Sequence, residues 1–139
     1  MTKEGRPFFD TNVLIYALAS NDRRTSAARA LLAKGGAVGV QNLNEFASVA
    51  SRKMKMSWHD IEQALSAIRT LCPSLIPVDI KIHEAAVEIA RLYQYQIYDA
   101  LVIAAAISAR CPILYSEDLQ HGQVIGGVTV QNPFLAGSR

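Results

Sequence analysis

The sequence predicts an α/β fold, a central, mainly parallel sheet of four to five strands sandwiched between helices. Three observations predict it. Short apolar stretches alternate with helix-length segments along the chain. The strand candidates are apolar throughout rather than alternating, as strands covered on both faces are. One helix candidate is apolar on nearly every side, which places it in the interior. At 139 residues, half of them apolar and 19% charged, the chain is expected to form one domain over 1–139. A mean hydropathy of +0.14 fits a packed core and excludes disordered, coiled-coil and collagen-like classes.

Pro7-Phe8-Phe9 reads as a short buried strand that stops at Asp10-Thr11-Asn12, and Val13 to Ala19 as a short helix. Asp22 to Lys34 reads as a longer helix with Ala27, Ala30, Leu31 and Ala33 on its apolar stripe and Gly35-Gly36 as its stop. Ala37 to Val40 is a second strand, and Asn42 opens a helix to about Met54. Ser57 opens another with Asp60 three residues on, and Ile61, Ala64, Leu65, Ile68 and Leu71 share one face. Leu75 to Val78 is a third strand. Asp79 then caps a helix in which Ile82, Ala85, Ala86, Ile89, Ala90 and Tyr93 recur at helical spacing. The interior helix begins near Asp99 and runs through Ala100 to Ile107. Pro112 to Tyr115 is a fourth strand and Val128 to Val130 a fifth. No repeat, linker or low-complexity tract interrupts the series.

Fourteen basic and twelve acidic residues leave a net charge of +2, which argues neither for nor against a polyanionic partner. Cys72 and Cys111 stand far apart, each before a proline, with no metal-binding spacing. Both read as buried hydrophobes of a reduced, cytoplasmic protein. The amino-terminal stretch is broken by Asp10 and Asn12 and does not read as a signal peptide. The longest apolar run is too short to span a bilayer, so no membrane association is expected.

In parallel sheets ligands bind beyond the carboxyl ends of the strands, and that rule makes the acids informative. Asp10 follows the first strand, Glu45 lies one turn into the helix after the second, and Asp118 follows the fourth. Asp99, at the start of the interior helix, can join them. Each acid alone has a structural explanation. Asp10 and Asp99 can cap helices, Asn42 and Glu45 have capping-box spacing, and Asp118 can close an Asx-turn. Four acids at one sheet edge call for more, because gathered carboxylates repel and no lysine or arginine adjoins them in sequence. A hard divalent cation, Mg²⁺ or Mn²⁺, suits such an oxygen-only set. His59 and His83 read as solvated helix residues, and His121 is only a weak candidate ligand. No P-loop, dinucleotide fingerprint, serine elbow or D-x-D phosphatase nucleophile is present, and no Ser/Cys–His–acid set suggests itself.

Four blocks together resemble one family. Phe9 to Tyr16 (FDTNVLIY), Asn44-Glu45-Phe46, Tyr98 to Ala105 (YDALVIAA) and Ile113 to Gly122 (ILYSEDLQHG) occur in order and resemble PIN-domain proteins, specifically the VapC-type toxin ribonucleases. The resemblance spans about Phe8 to Phe134. It implies a PIN-like α/β/α sandwich, Mg²⁺- or Mn²⁺-dependent endoribonuclease activity and products with a 5′-phosphate and a 3′-hydroxyl. It also implies pairing with a cognate antitoxin whose tail enters the active-site groove. By position, Asp10, Glu45, Asp99 and Asp118 look like the metal-binding, catalytic acids, with Thr11, Asn12 and Ser116 as supporting polar residues. Where many relatives carry a further acid, this chain has His121. Glu117 and Asp118 are adjacent, so only one can face the metal along a continuing strand, and the short side chain at the corner selects Asp118.

The chemistry is self-consistent: a metal that activates water needs no side-chain nucleophile. Arg23, Arg24, Arg52, Lys53 and Lys55 are the candidates for contacts with an RNA substrate, with solvated helix ends as the plain alternative. Two other readings stay open, a PIN-fold module that binds RNA or protein without cutting, and a metal-dependent phosphatase or DNA nuclease. The apolar content of so small a chain predicts a homodimer or a complex with the antitoxin.

Overall fold

Phe8–Phe9 forms the shortest possible strand, β1, yet it sits at the centre of the sheet with both rings fully buried. In this computed structural model, residues 5–135 are described, so both ends of the expected 1–139 unit lie outside them. The other strands are β2 (Ala37–Gly39), β3 (Ser74–Ile76), β4 (Ile113–Tyr115), β5 (Val124–Ile125) and β6 (Val128–Gln131). Their order is β3-β2-β1-β4-β6-β5, and all neighbours are parallel except β5 and β6. The α/β class with a mainly parallel sheet is therefore observed.

Eight-residue α1 (Thr11–Leu18), α2 (Thr25–Ala33), α3 (Val40–Arg52) and α4 (Trp58–Leu71) contribute to one core, around Phe9, Leu14, Leu32, Phe46 and Ile61. Helices α5 (Ile80–Tyr93) and α6 (Ile97–Ser108) pack with Phe8 and Leu114 in a second core. Consecutive buried residues Phe8 and Phe9 thus feed opposite faces, as strand alternation requires. Burying each large apolar side chain stabilises by roughly 1.5–3 kcal/mol. Seven residues of α6, from Ala100 to Ala106, are buried, which is why that segment shows no amphipathic stripe.

Several boundaries move for local reasons. Asp22 does not open α2; it accepts a hydrogen bond from the Arg24 N–H at 2.8 Å, and the helix starts at Thr25. Ala28 and Leu32 carry the buried face of α2, while Ala27, Ala30 and Ala33 are exposed, so the expected stripe is misplaced by about one position. Helix α3 begins at Val40, two residues before Asn42, because Asn42 caps from the third helical position. Ser57 and Asp79 do cap α4 and α5, accepting from Asp60 N–H (3.1 Å) and Ile82 N–H (2.9 Å). Strand β5 is additional to the expected set. Gly126 and Gly127, both at positive φ (56° and 85°), turn it antiparallel onto β6.

Candidate active site

Strands β1, β2 and β4 lie side by side and parallel, so the residues that follow them share one edge. The chain proceeds from β1 outward to β2 and β3 on one side, and from β4 to β6 on the other. The strand order therefore reverses between β1 and β4, the switch point where such sheets open a crevice. Asp10 occupies it. The Asp10 N–H donates to the Tyr115 carbonyl at 3.0 Å, fastening the end of β1 to β4. Its side chain caps α1 by accepting from Thr11 N–H at 2.7 Å and accepts from the Ser116 hydroxyl at 2.7 Å. The capping role and a place at the crevice thus coexist.

Asn42 reaches the same carboxylate from α3. It is 1% exposed, its Oδ1 accepts the Gly39 N–H at 3.0 Å, and its Nδ2 donates to Thr11 Oγ1 (3.0 Å) and Asp10 Oδ1 (3.4 Å). This buried amide is the residue that sequence reasoning missed. Its sequence signal is an Asn three residues after a glycine at a strand end, a position that capping-box spacing alone pairs with Glu45. Glu45 does not close a capping box; its Oε1 accepts from the Thr11 hydroxyl at 2.8 Å. Thr11 therefore accepts from Asn42 and donates to Glu45, and orients the latter.

After β4 the chain turns through Ser116, Glu117 and Asp118. Ser116 is fully buried; its N–H donates to the Gln131 carbonyl (3.0 Å) and its Oγ accepts from Asp118 N–H (3.1 Å). Asn12 Oδ1 accepts from Glu117 N–H at 3.1 Å. Asn12 Nδ2 donates to Asp118 Oδ2 at 3.2 Å, with a longer contact of 3.4 Å to Ser116 Oγ. The Glu117 carboxylate is occupied: Arg24 donates to one oxygen at 2.9 Å and the Tyr16 hydroxyl to the other. Asp118 has no cationic partner among the described residues.

Asp99 comes from the opposite helical layer, in the first turn of α6 rather than at its cap, which is Gln96. All four acids line one cleft of about 580 Å³ together with Thr11, Asn12, Tyr16, Ser48, Lys53, Met54, Tyr98 and Glu117. Burial pushes the Asp10 carboxyl up to about 6; the Ser116 and Thr11 hydrogen bonds oppose the rise, and the charges of Asp118 and Glu45 add to it. Burial, then the charge of Asp118, also raises Asp99. Among the described residues no ion pair relieves Asp10, Glu45, Asp99 or Asp118.

Oxygen-only donors under mutual repulsion fit a hard divalent cation. Among the described residues no three acids close into a ready-made cage. The fit is therefore to an ion that takes one or two carboxylates and keeps several waters, as Mg²⁺ does. Of the basic candidates only Lys53 lines the cleft; Arg23, Arg52 and Lys55 are exposed outside its lining, and Arg24 is engaged with Glu117. His59 and His83 are exposed on α4 and α5. His121 lines a different cavity, with Lys34 and Tyr115, and its Nδ1 accepts from Asn132 N–H at 3.0 Å. No helix among the described residues is long and apolar enough to cross a membrane.

The sequence profile of the PIN domain matches residues 8–125. Solved structures share the fold, two of them over most of both chains. One is a sarcin-ricin loop cleaving toxin, VapC20 of Mycobacterium tuberculosis, at 23% identity and TM-score 0.65 over 81% of this chain and 89% of that one. The other is a toxin-antitoxin complex from Klebsiella pneumoniae, at 22% identity and TM-score 0.67 over 88% and 95%. No curated protein matches the sequence.

Proposed function

This chain belongs to the PIN domain family, and from that premise we propose that it is a Mg²⁺- or Mn²⁺-dependent endoribonuclease, the toxin of a toxin-antitoxin pair. The observation that carries the reading is the cleft at the switch point. Asp10, Glu45, Asp99 and Asp118 line it, and burial, with the charges of Asp118 and Glu45 adding to it, pushes Asp10 up to about 6. The two structural neighbours, a toxin that cleaves the sarcin-ricin loop and a toxin-antitoxin complex, support the RNA substrate and the antitoxin partner.

When bound, a divalent cation supplies Lewis-acid stabilisation of the phosphodiester and eases deprotonation of water. The chain's own residues do the rest. Asp10 is held by Thr11 N–H and the Ser116 hydroxyl and would offer one fixed carboxylate to the ion. Glu45, steered by Thr11, and Asp118, steered by Asn12, would act on the ion's waters as proton acceptors or supply a second carboxylate. Asp99 closes the site from α6. Lys53, at the rim, neutralises a backbone phosphate of the substrate. Hydrogen bonds that preset the acids spare the reaction their reorganisation, which is where such sites gain most.

Incubating the purified chain with end-labelled single-stranded RNA and Mn²⁺ tests the reading. Cleavage that EDTA abolishes, that leaves DNA intact and that Asp10→Asn and Asp99→Asn each eliminate is the expected result. RNA that is bound but never cut would instead identify a binding module, and cleavage of DNA alone would identify a deoxyribonuclease.

A further inference from the structure

Arg24 lies just before α2, far from the acids in sequence, and its guanidinium is spent within the protein. Nη1 donates to Glu117 Oε2 at 2.9 Å, Nη2 to Asp22 Oδ2 at 3.1 Å, and the cation sits 4.2 Å above the Tyr16 ring. Its buried Nε has no partner among the described residues. The second Glu117 oxygen accepts from the Tyr16 hydroxyl. Burial, then the hydrogen bond to Glu117, pushes that phenol up to about 12, so it stays a donor at working pH. Tyr16 is itself braced edge-on against Phe134, ring centroids 5.1 Å apart.

Both oxygens of Glu117 are thereby fixed, and its neighbours in the turn inherit the constraint. Its N–H is bonded to Asn12, Asn12 donates to the Asp118 carboxylate, and Asp118 N–H bonds to Ser116, which in turn donates to Asp10. Asp118 needs such help, because it is exposed and lies in a turn past the end of β4. We propose that Arg24, Tyr16 and Glu117 form a clamp that positions Asp118 and Ser116 in the acidic cleft. Arg24 and Glu117 are then positioning residues, and neither touches RNA or metal. A partly exposed ion pair, here with side chains 27% and 25% exposed, contributes little to stability, so the clamp's effect is on geometry. This inference rests on the reading of Asp118 as a residue of the metal site.

Mn²⁺ binding by calorimetry and Mn²⁺-dependent RNA cleavage, measured on the wild type, Glu117→Gln, Arg24→Met, Arg24→Lys and Tyr16→Phe, test it. Loss of a group that orients a metal ligand typically weakens affinity or activity 10–100-fold. Glu117→Gln and Arg24→Met are expected to raise the Mn²⁺ concentration for half-saturation about tenfold, with cleavage at saturating Mn²⁺ mostly restored. Arg24→Lys, which keeps the charge but loses the fork, should recover part of the loss, and Tyr16→Phe should show a smaller loss. The double variant Arg24→Met/Glu117→Gln should be no worse than either single one. Unchanged Mn²⁺ dependence in folded variants overturns the clamp while leaving the nuclease reading intact. Loss of cleavage in Glu117→Gln that saturating Mn²⁺ does not restore also overturns it, by making Glu117 a direct participant. A wild type that neither binds Mn²⁺ nor cuts RNA overturns both.

Discussion

Asp10 binds a proton more tightly in the folded chain, at about 6, than at its ordinary value of 3.8. Without metal, its protonation favours the folded state fully below pH 3.8, and that contribution is lost as pH rises through 6. A gap of about two pH units corresponds to roughly 3 kcal/mol at most. In EDTA, the thermal midpoint of the wild type should therefore rise between pH 7 and pH 5 relative to that of Asp10→Asn, which still caps α1. Parallel pH profiles for the two proteins would contradict the burial of an uncompensated charge. Asn42 makes the complementary case. Asn42→Ala strands the buried Gly39 N–H and frees Thr11, so it should cost about 1–3 kcal/mol in denaturant unfolding and also reduce cleavage. Lost stability with wild-type cleavage would reduce Asn42 to a helix cap.

At the scale of elements, the strands and most helices were legible because their cues are local. Ser57 and Asp79 cap as their spacing implies, and the run from Ala100 to Ala106 is as buried as its composition demands. The start and face of α2 were not legible. Its apolar residues are mostly alanines, which tolerate either side, and Asp22 spends its hydrogen bonds on Arg24 instead of a cap. The β5–β6 hairpin was not legible: Val128 to Val130 reads as a strand, but two residues of β5 are too few to show a period. Close approach shows best at Gly36, where an added Cβ would lie 2.6 Å from both the Pro7 carbonyl oxygen and the Phe9 ring. Gly36→Ala should wedge the start of β2 away from β1 and destabilise by about 1–3 kcal/mol in urea unfolding. An unchanged midpoint would mean that the central strands yield more easily than their packing suggests.

Across the whole molecule, the acids could be located from sequence because a parallel sheet sends its strand ends to one edge. What turned them into a site could not. Contacts between residues more than a hundred positions apart, such as Ser116 to Asp10 and Asn12 to Asp118, have no sequence signature. Apolar side chains lie at the surface, Trp58 at 62% and Ile80 at 68% exposure among them, and either a second copy of the chain or an antitoxin would cover such residues. Light scattering at micromolar concentration should give twice the 15.2 kDa chain mass, and a lone monomer would count against the homodimer.

The cleft between β1 and β4 is proposed to hold a divalent cation through its carboxylates. Calorimetric titration of Mn²⁺ into the purified chain at pH 7, repeated with Asp10→Asn and Asp99→Asn, tests it most directly. The wild type should bind saturably, more weakly at pH 5, where the proton competes for Asp10, and both variants should lose binding. Binding of equal strength in the wild type and the Asp10 variant, or none in the wild type, would contradict it.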